Sequence, residues 1–510
     1  MTSDSPNCSD YVELHAASAF SFLDGGSQPE ALVERAVQLG LPAMALADRN
    51  GLYGAARFHT TAKRLGLRAQ IGAEIAVSSF GNRLTPPAWL PHQCPAEPPR
   101  ILLLCATQTG YRNLCQLITR FKMREATKAE GAATLGDLEE FSSGLICLTG
   151  GDEGPLAAGL ANDGLTEARN ITERLSSIYG RGHLYLELQR HQQRDEESRN
   201  QSLLNLASEL HLPVIATNGV RYGVAEDREI LDVLTAIRHH TTLDEAGRLL
   251  TPNAQRLLRS GREMAALFRD IPEAIANTRI VSDRLAFTLD HLGYKFPHYP
   301  VPDGETMDSF LAKRVEEGVH LRYTVPSKRH LLDKARAQVE HELKLISKLG
   351  FAGYFLIVWD LIRYCQKHGI LVQGRGSAAN SAVCYALQIT AVDPVGMELL
   401  FERFLNENRG EWPDIDLDLP SGEQRERVVQ YIYEHYGQLG AAMTANVITY
   451  RSRSASNEVG KALGFEEDTV TRLSSLVSRW EWNGVNATMA RHFAQAGFDI
   501  RHPRIARYLD

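Results

Sequence analysis

Residues 43–77 read AMALADRNGLYGAARFHTTAKRLGLRAQIGAEIAV. The short apolar runs Ala43–Ala47 and Ile71–Val77 read as strands, and Gly54–Leu65 between them reads as a helix. Upstream, Tyr11–Leu14 has the same strand character and Pro29–Gly40 the same helical one. Strand–helix alternation of this kind predicts an α/β unit with parallel strands. The pattern resumes in Ile101–Cys105, Leu145–Thr149, His183–Leu188 and Pro213–Thr217. Everything to about residue 222 is therefore expected to form one α/β unit, long enough for a barrel-like closure. Leu84–Arg100 interrupts it with six prolines and is expected to be an extended surface loop.

Beyond residue 222 the character changes. Residues 223–300 read as mostly helical and end in the Pro- and Tyr-rich linker Tyr294–Pro302. Leu332, Ala335, Val339, Leu343, Ile346 and Leu349 then recur at spacings of three and four, a helix that Gly350 ends. A motif-rich region runs to about residue 445, and a helical, Arg-containing tail follows. The expected segments are 1–222, 223–300, 301–445 and 446–510. Over 510 residues, 44% hydrophobic and 23% charged, this is the composition of a globular protein of about three domains. No apolar run reaches the length of a membrane span. Met1–Asp10 is polar and acidic, unlike a secretory signal, so a cytoplasmic protein is expected. Seven cysteines, an odd number without CxxC spacing, read as reduced thiols. The net charge of −7 speaks against a small basic nucleic-acid binder, but a large enzyme needs only a local basic surface. Leu311–Lys348, with nine Lys/Arg against five Asp/Glu, could supply such a surface but from charge alone reads more readily as an ordinary solvated helix face.

Two motifs carry chemistry. In Pro413-Asp414-Ile415-Asp416-Leu417-Asp418-Leu419, acidic and aliphatic residues alternate as on a strand. Asp414, Asp416 and Asp418 would share one face, with Ile415, Leu417 and Leu419 toward a core. Three adjacent carboxylates repel one another unless a cation neutralises them, and hard oxygen ligands suit Mg²⁺. An exposed edge strand with protective charges would look the same. In Ile370–Ser381 an apolar strand enters the Gly-rich turn Gly374-Arg375-Gly376-Ser377, and small residues open a helix. Bare amides at a helix start, the Arg375 guanidinium and the Ser377 hydroxyl, with Ser377 a plausible N-cap, could cradle phosphate. The stretch also satisfies a dinucleotide-binding pattern with Asp393 about 20 residues on, and it could equally be a tight strand-to-helix turn. In the first unit, His15, Asp48, Glu74 and His191 lie in or beside strand segments. Strand ends of an α/β barrel are where a metal site belongs, although lone residues of these types are more often structural.

Taken together these features resemble the C-family bacterial DNA polymerases, the polymerase III alpha (DnaE-type) subunits. The resemblance is densest over Phe351–Gly464. It rests on Gly353-Tyr354-Phe355-Leu356-Ile357-Val358, the Gly374–Ser377 turn, Leu400-Phe401-Glu402-Arg403-Phe404-Leu405 and Pro413–Asp418. Tyr11–His15 and Ser21–Gly25 resemble the opening of the PHP (polymerase and histidinol phosphatase) domain. Gly376–Cys384 and Val447–Ser454 resemble the error-prone subgroup. The resemblance implies an α/β architecture: a PHP-type distorted βα barrel, a mixed α/β palm and a helical thumb. It implies translesion, damage-induced DNA synthesis, with Asp414 and Asp416 holding two Mg²⁺ ions and Asp418 beside them. Gly374, Arg375, Gly376 and Ser377 would hold the incoming nucleotide, and Arg451 and Arg453 the DNA backbone. The implied partners are primer–template DNA, deoxynucleoside triphosphates, a sliding clamp and mutagenesis accessory proteins, with no membrane.

Two departures from the family pattern stand out. Active PHP sites use a His-x-His pair, but here Ala16 and Ala17 follow His15. Arg49 follows Asp48 where active members have His, and Gly219 and Arg221 stand where they have Asp and His. Only His15, Asp48, Glu74 and His191 remain, so this PHP domain is expected to bind no metal and to be structural. The family's third palm aspartate lies beyond Asp510, so the 510-residue chain alone is expected not to extend a primer. The alternatives are a PHP-type metal-dependent phosphoesterase and a non-catalytic DNA- or nucleotide-binding fragment.

Overall fold

In a computed structural model, residues 11–80, 97–124, 131–290, 292, 298–406, 413–477 and 487–509 are described. Most of the proline-rich stretch, the start of the 294–302 linker and Met1–Asp10 lie outside them. The chain forms two compact units, Met1–Leu292 with Val447–Asp510, and Gly293–Asn446.

The first unit is built on seven strands in sequential order: β1 (Glu13–Ala16), β2 (Ala43–Arg49), β3 (Arg68–Ala76), β4 (Arg100–Cys105), β5 (Leu145–Leu148), β6 (Leu184–Leu188) and β7 (Val214–Ala216). Helices α1 (Pro29–Gln38) and α2 (Ala55–Leu65) connect the first three. The strands are not all parallel as expected. β4 runs antiparallel to both β3 and β5, while the other neighbours are parallel. An apolar run carries no direction, and an antiparallel neighbour needs no crossover helix.

The sheet curls until its ends meet. Ala16 bridges Val220, with the Val220 amide donating to the His15 carbonyl at 2.8 Å and the Ala17 amide to Val220 at 2.9 Å. Both faces are buried, which is why the strands read as continuous apolar runs. Met44, Leu46, Ile101 and Leu103 pack under the outer helices. Ala45, Ala47, Leu102 and Leu104 fill the concave side, where α4 (Pro272–Arg284), which comes after α3 (Arg228–Arg238) in the chain, contributes Val281.

The second unit packs helices α5 (Met307–Tyr323), α6 (Leu332–Lys348), α7 (Ala352–Lys367) and α8 (Ala382–Ala386) around Val315, Ile346, Phe355 and Tyr385. Gly318 lets α5 approach α8 closely, because a Cβ there would collide with the Ala386 carbonyl. A two-stranded ribbon, β8 (Gln373–Arg375) with β9 (Asp416–Asp418), lies on this core, and α9 (Glu423–Gly440) follows it. Back in the first unit, α10 (Ser452–Ala462) packs on α3 and on α11 (Glu467–Leu476). Among the described residues no single helix is long and apolar enough to cross a membrane.

Candidate functional site

The concave side of the barrel holds charge. His15 lies between two carboxylates, with Nδ1 2.6 Å from Glu187 and Nε2 3.2 Å from Glu74. Arg100 pairs with Glu74 at 3.3 Å, with Asp24 at 3.1 Å and with Glu153. Arg221 reaches Glu74 at 3.3 Å and Glu153 at 2.6 Å. Arg49 and Arg238 extend the network to Asp24 and Glu97. Arg49, Arg100, Arg221, Arg238 and protonated His15 thus face Asp24, Glu74, Glu97, Glu153 and Glu187, five charges against five. Among the described residues no group of three or more His, Cys, Asp or Glu is disposed to hold a metal ion.

The four residues singled out in this unit are only partly brought together. His15 and Glu74 touch. Asp48 shares the strand parity of Met44 and Leu46, toward the helices, and accepts from the Ser18 amide at 2.7 Å and the Ser18 and Ser21 hydroxyls at 2.9 Å. His191 lies apart, Nε2 facing the Asn218 carbonyl at 2.9 Å and Nδ1 3.1 Å from Glu196. Sequence reasoning missed Arg100 and Glu187. Their signal was an ionisable residue inside or opening an otherwise apolar strand.

Burial opposes charge on His15, but Glu187 and Glu74 outweigh it and lift its pKa to about 10. Burial pushes Glu13 up to about 7. Both pKa values exceed those of the unfolded chain, so both groups contribute stability that is full below the unfolded pKa and lost as pH rises through the folded one. Above pH 7 mainly His15 is left to titrate, with buried thiols such as Cys147 adding a loss in the same direction near pH 9. The thermal midpoint should fall from pH 7 to pH 10, and His15→Asn should flatten that slope. An unchanged slope in the variant would contradict a protonated His15.

In the second unit β9 pairs antiparallel with β8, Arg375 opposite Asp416 and Gln373 opposite Asp418. Asp414, Asp416 and Asp418 are exposed, while Ile415 and Leu417 pack against the core. Arg375 Nε lies 3.2 Å from Asp418 and 4.0 Å from Asp416. The phosphate-cradle geometry expected of the turn needs correction. Ser377 is not the N-cap; it sits exposed in the 3₁₀ turn Gly376–Asn380, and Ser381 caps α8. The α8 amides are already taken, since Ala382 and Val383 donate to the buried Glu342 carboxylate at 2.9 and 3.0 Å, and the Ser381 hydroxyl at 2.7 Å. Gly374 serves packing: its amide donates to Ile389 at 2.7 Å, and a Cβ would lie 2.6 Å from that oxygen. Gly376 adopts φ +70°, which favours glycine. Asp393, the acid of the dinucleotide pattern, is held by Tyr323 at 2.6 Å and Lys328 at 2.8 Å. The exposed side chains of Arg375 and Ser377 stand at this turn for an anion.

Glu342→Ala would strand two buried amides and a hydroxyl, and should destabilise the chain by on the order of 3 kcal/mol. Urea denaturation measures this; a loss under about 0.5 kcal/mol, the scale of a neutral surface change, would contradict it. In the tail, Arg451 stands at the N-cap position of α10 with its amide donating to the Ser454 hydroxyl at 2.9 Å, and Arg451, Arg453, Ser454, Asn457 and Thr471 line a groove of about 600 Å³.

Residues 13–191 match the PHP domain, and residues 309–510 match the bacterial DNA polymerase III alpha NTPase domain. Among solved structures, an amidohydrolase from Chromobacterium violaceum aligns over 41% of this chain and 87% of its own, at 13% identity and a TM-score of 0.29. A curated relative named error-prone DNA polymerase, from Mycobacterium bovis, is 41% identical over 92% of this chain and 42% of its own length. One of the same name from Nocardia farcinica is 41% identical over 94% of this chain and 44% of its own. The chain therefore spans less than half the length of these relatives. The chain thus joins a region that matches the PHP domain to one that matches the bacterial DNA polymerase III alpha NTPase domain.

Proposed function

We propose that this chain is part of an error-prone DNA polymerase and that the Asp414–Asp418 strand is its catalytic-metal face. The observation that carries the reading is that face: three exposed carboxylates on one side of a strand whose other side is packed, with Arg375 across the ribbon. Such a donor set fits Mg²⁺, which needs hard oxygen ligands and keeps waters of its own. Asp414 and Asp416 would hold two such ions, with Asp418 beside them pairing Arg375. When bound, they would neutralise charge on the attacking and leaving oxygens of phosphoryl transfer. Arg375 and Ser377 bind the triphosphate and orient its α-phosphate toward the primer 3′-hydroxyl, with pyrophosphate leaving. Arg451 and Arg453 contact the DNA backbone without reading sequence. The segments divide as PHP domain (1–222), extension (223–300), palm (301–445) and thumb (446–510).

The PHP domain is structural in this reading. Of its four remaining ligand residues Glu74 is tied to Arg100 and Arg221 while Asp48 and His191 are bonded elsewhere, and a guanidinium beside Glu74 opposes a cation there by direct repulsion. That weighs against the phosphoesterase alternative. A cytoplasmic enzyme working with a sliding clamp and mutagenesis accessory proteins is the matching cellular setting.

Nucleotide binding by the 510-residue chain tests the reading. A fluorescent deoxynucleoside triphosphate should bind more tightly with Mg²⁺ than without, and Arg375→Ala should weaken it about tenfold, the scale of one lost charge-assisted contact. Binding indifferent both to Mg²⁺ and to Arg375→Ala would refute it.

A further inference from the structure

Ile415 lies between Asp414 and Asp416, and its amide is outside the β8–β9 ladder, which ends at Arg375 opposite Asp416. That amide donates instead to the Tyr354 hydroxyl at 3.0 Å. Tyr354 sits in the first turn of α7, where its ring meets Phe355 edge-on with centroids 6.1 Å apart. Phe355 is itself locked, fully buried and edge-on to Phe404 at 6.1 Å. The same helix also grips α9, which follows the acidic segment. Tyr364 stacks on Tyr431 of α9 with centroids 3.9 Å apart, and the Tyr431 hydroxyl donates to Asp360 at 2.7 Å. α7 therefore holds the chain between Asp414 and Asp416 and again in α9, beyond Asp418.

We propose that Tyr354 is a positioning residue for the cation site, its hydroxyl fixing the backbone between Asp414 and Asp416 so that the two carboxylates present a set spacing to divalent ions. Outer groups that orient metal ligands commonly change affinity as much as a ligand hydrogen bond does, without touching the ion. The proposal rests on the reading of Asp414 and Asp416 as cation ligands, and its test separates the two.

Mn²⁺ is the probe, titrated into the 510-residue chain with free Mn²⁺ followed by electron paramagnetic resonance. Asp414→Asn should abolish the Asp-dependent binding. Tyr354→Phe should raise the Mn²⁺ Kd about tenfold while the thermal midpoint stays within a few degrees of wild type, a change that lost packing alone would not produce. If Asp414→Asn leaves binding intact, the carboxylate reading itself fails. If Asp414→Asn loses binding and a folded Tyr354→Phe does not weaken it, the positioning role fails alone. Should Tyr354→Phe not fold, amide hydrogen exchange on the wild-type chain decides. The Ile415 amide should be protected although it is outside the ladder, and exchange at the rate of an exposed amide overturns the proposal.

Discussion

Arg100→Met should destabilise the chain by about 4 kcal/mol, the cost of removing one partner from a buried ion pair. Arg100 is 2% exposed and pairs with Asp24, Glu74 and Glu153 at once. Methionine fills much of the volume but leaves the buried Glu74 and the partly exposed Asp24 and Glu153 each short of one cation. Burial raises the Glu74 pKa while Arg100, Arg221 and His15 hold it well below the usual range. Removing Arg100 therefore lets it rise, with Arg221 and His15 still opposing that rise. The variant's deficit should shrink as pH falls from 7 to 5, because protonation then relieves the unpaired charge. An exposed pair makes the control. Arg120 and Glu140 lie 3.0 Å apart with both side chains about half exposed, and Arg120→Ala should cost no more than about 0.5 kcal/mol. Urea denaturation of the three proteins at both pH values checks this. A loss below about 1 kcal/mol for Arg100→Met would mean the network is not what holds the barrel interior, since surface pairs reach that value.

Much of this was legible in the sequence for identifiable reasons. Strands buried on both faces leave continuous apolar runs, so Ala43–Ala47 and Ile101–Cys105 fall inside β2 and β4. The Asp414–Leu419 alternation forecast an exposed acidic face over an apolar one. Direction was not legible, because the Ile101–Cys105 run reads the same in either orientation, and β4 is antiparallel to its neighbours. Nor was the choice of cap. Ser377 and Ser381 are both small polar residues near a helix start, and Glu342, far upstream, takes the amides beyond Ser381. The charge network pairs residues far apart, such as Glu74 with Arg221 across 147 positions, a relation no local pattern carries. The orientation of Asp48, by contrast, was open to parity: it lies two residues from Leu46 and four from Met44, so it shares their face.

The second large effect concerns chemistry and should leave the fold alone. Asp414→Asn keeps the shape of the side chain and removes its charge. The residue is exposed, so folding stability should change by no more than about 0.5 kcal/mol. The charge that a phosphoryl transfer develops would lose a preorganised counterpart, and losses of roughly 10³-fold follow when a single such group is removed. DNA affinity should stay near wild type, because backbone contacts come from basic side chains elsewhere.

The central claim is that the acidic strand is a polymerase's catalytic face. Single-turnover primer extension by the intact polymerase, wild type beside Asp414→Asn at saturating primer–template, tests it most directly. The account predicts that the variant binds primer–template like wild type, is as stable, and extends at least about 10³-fold more slowly. Extension by the variant within a few-fold of wild type would contradict it.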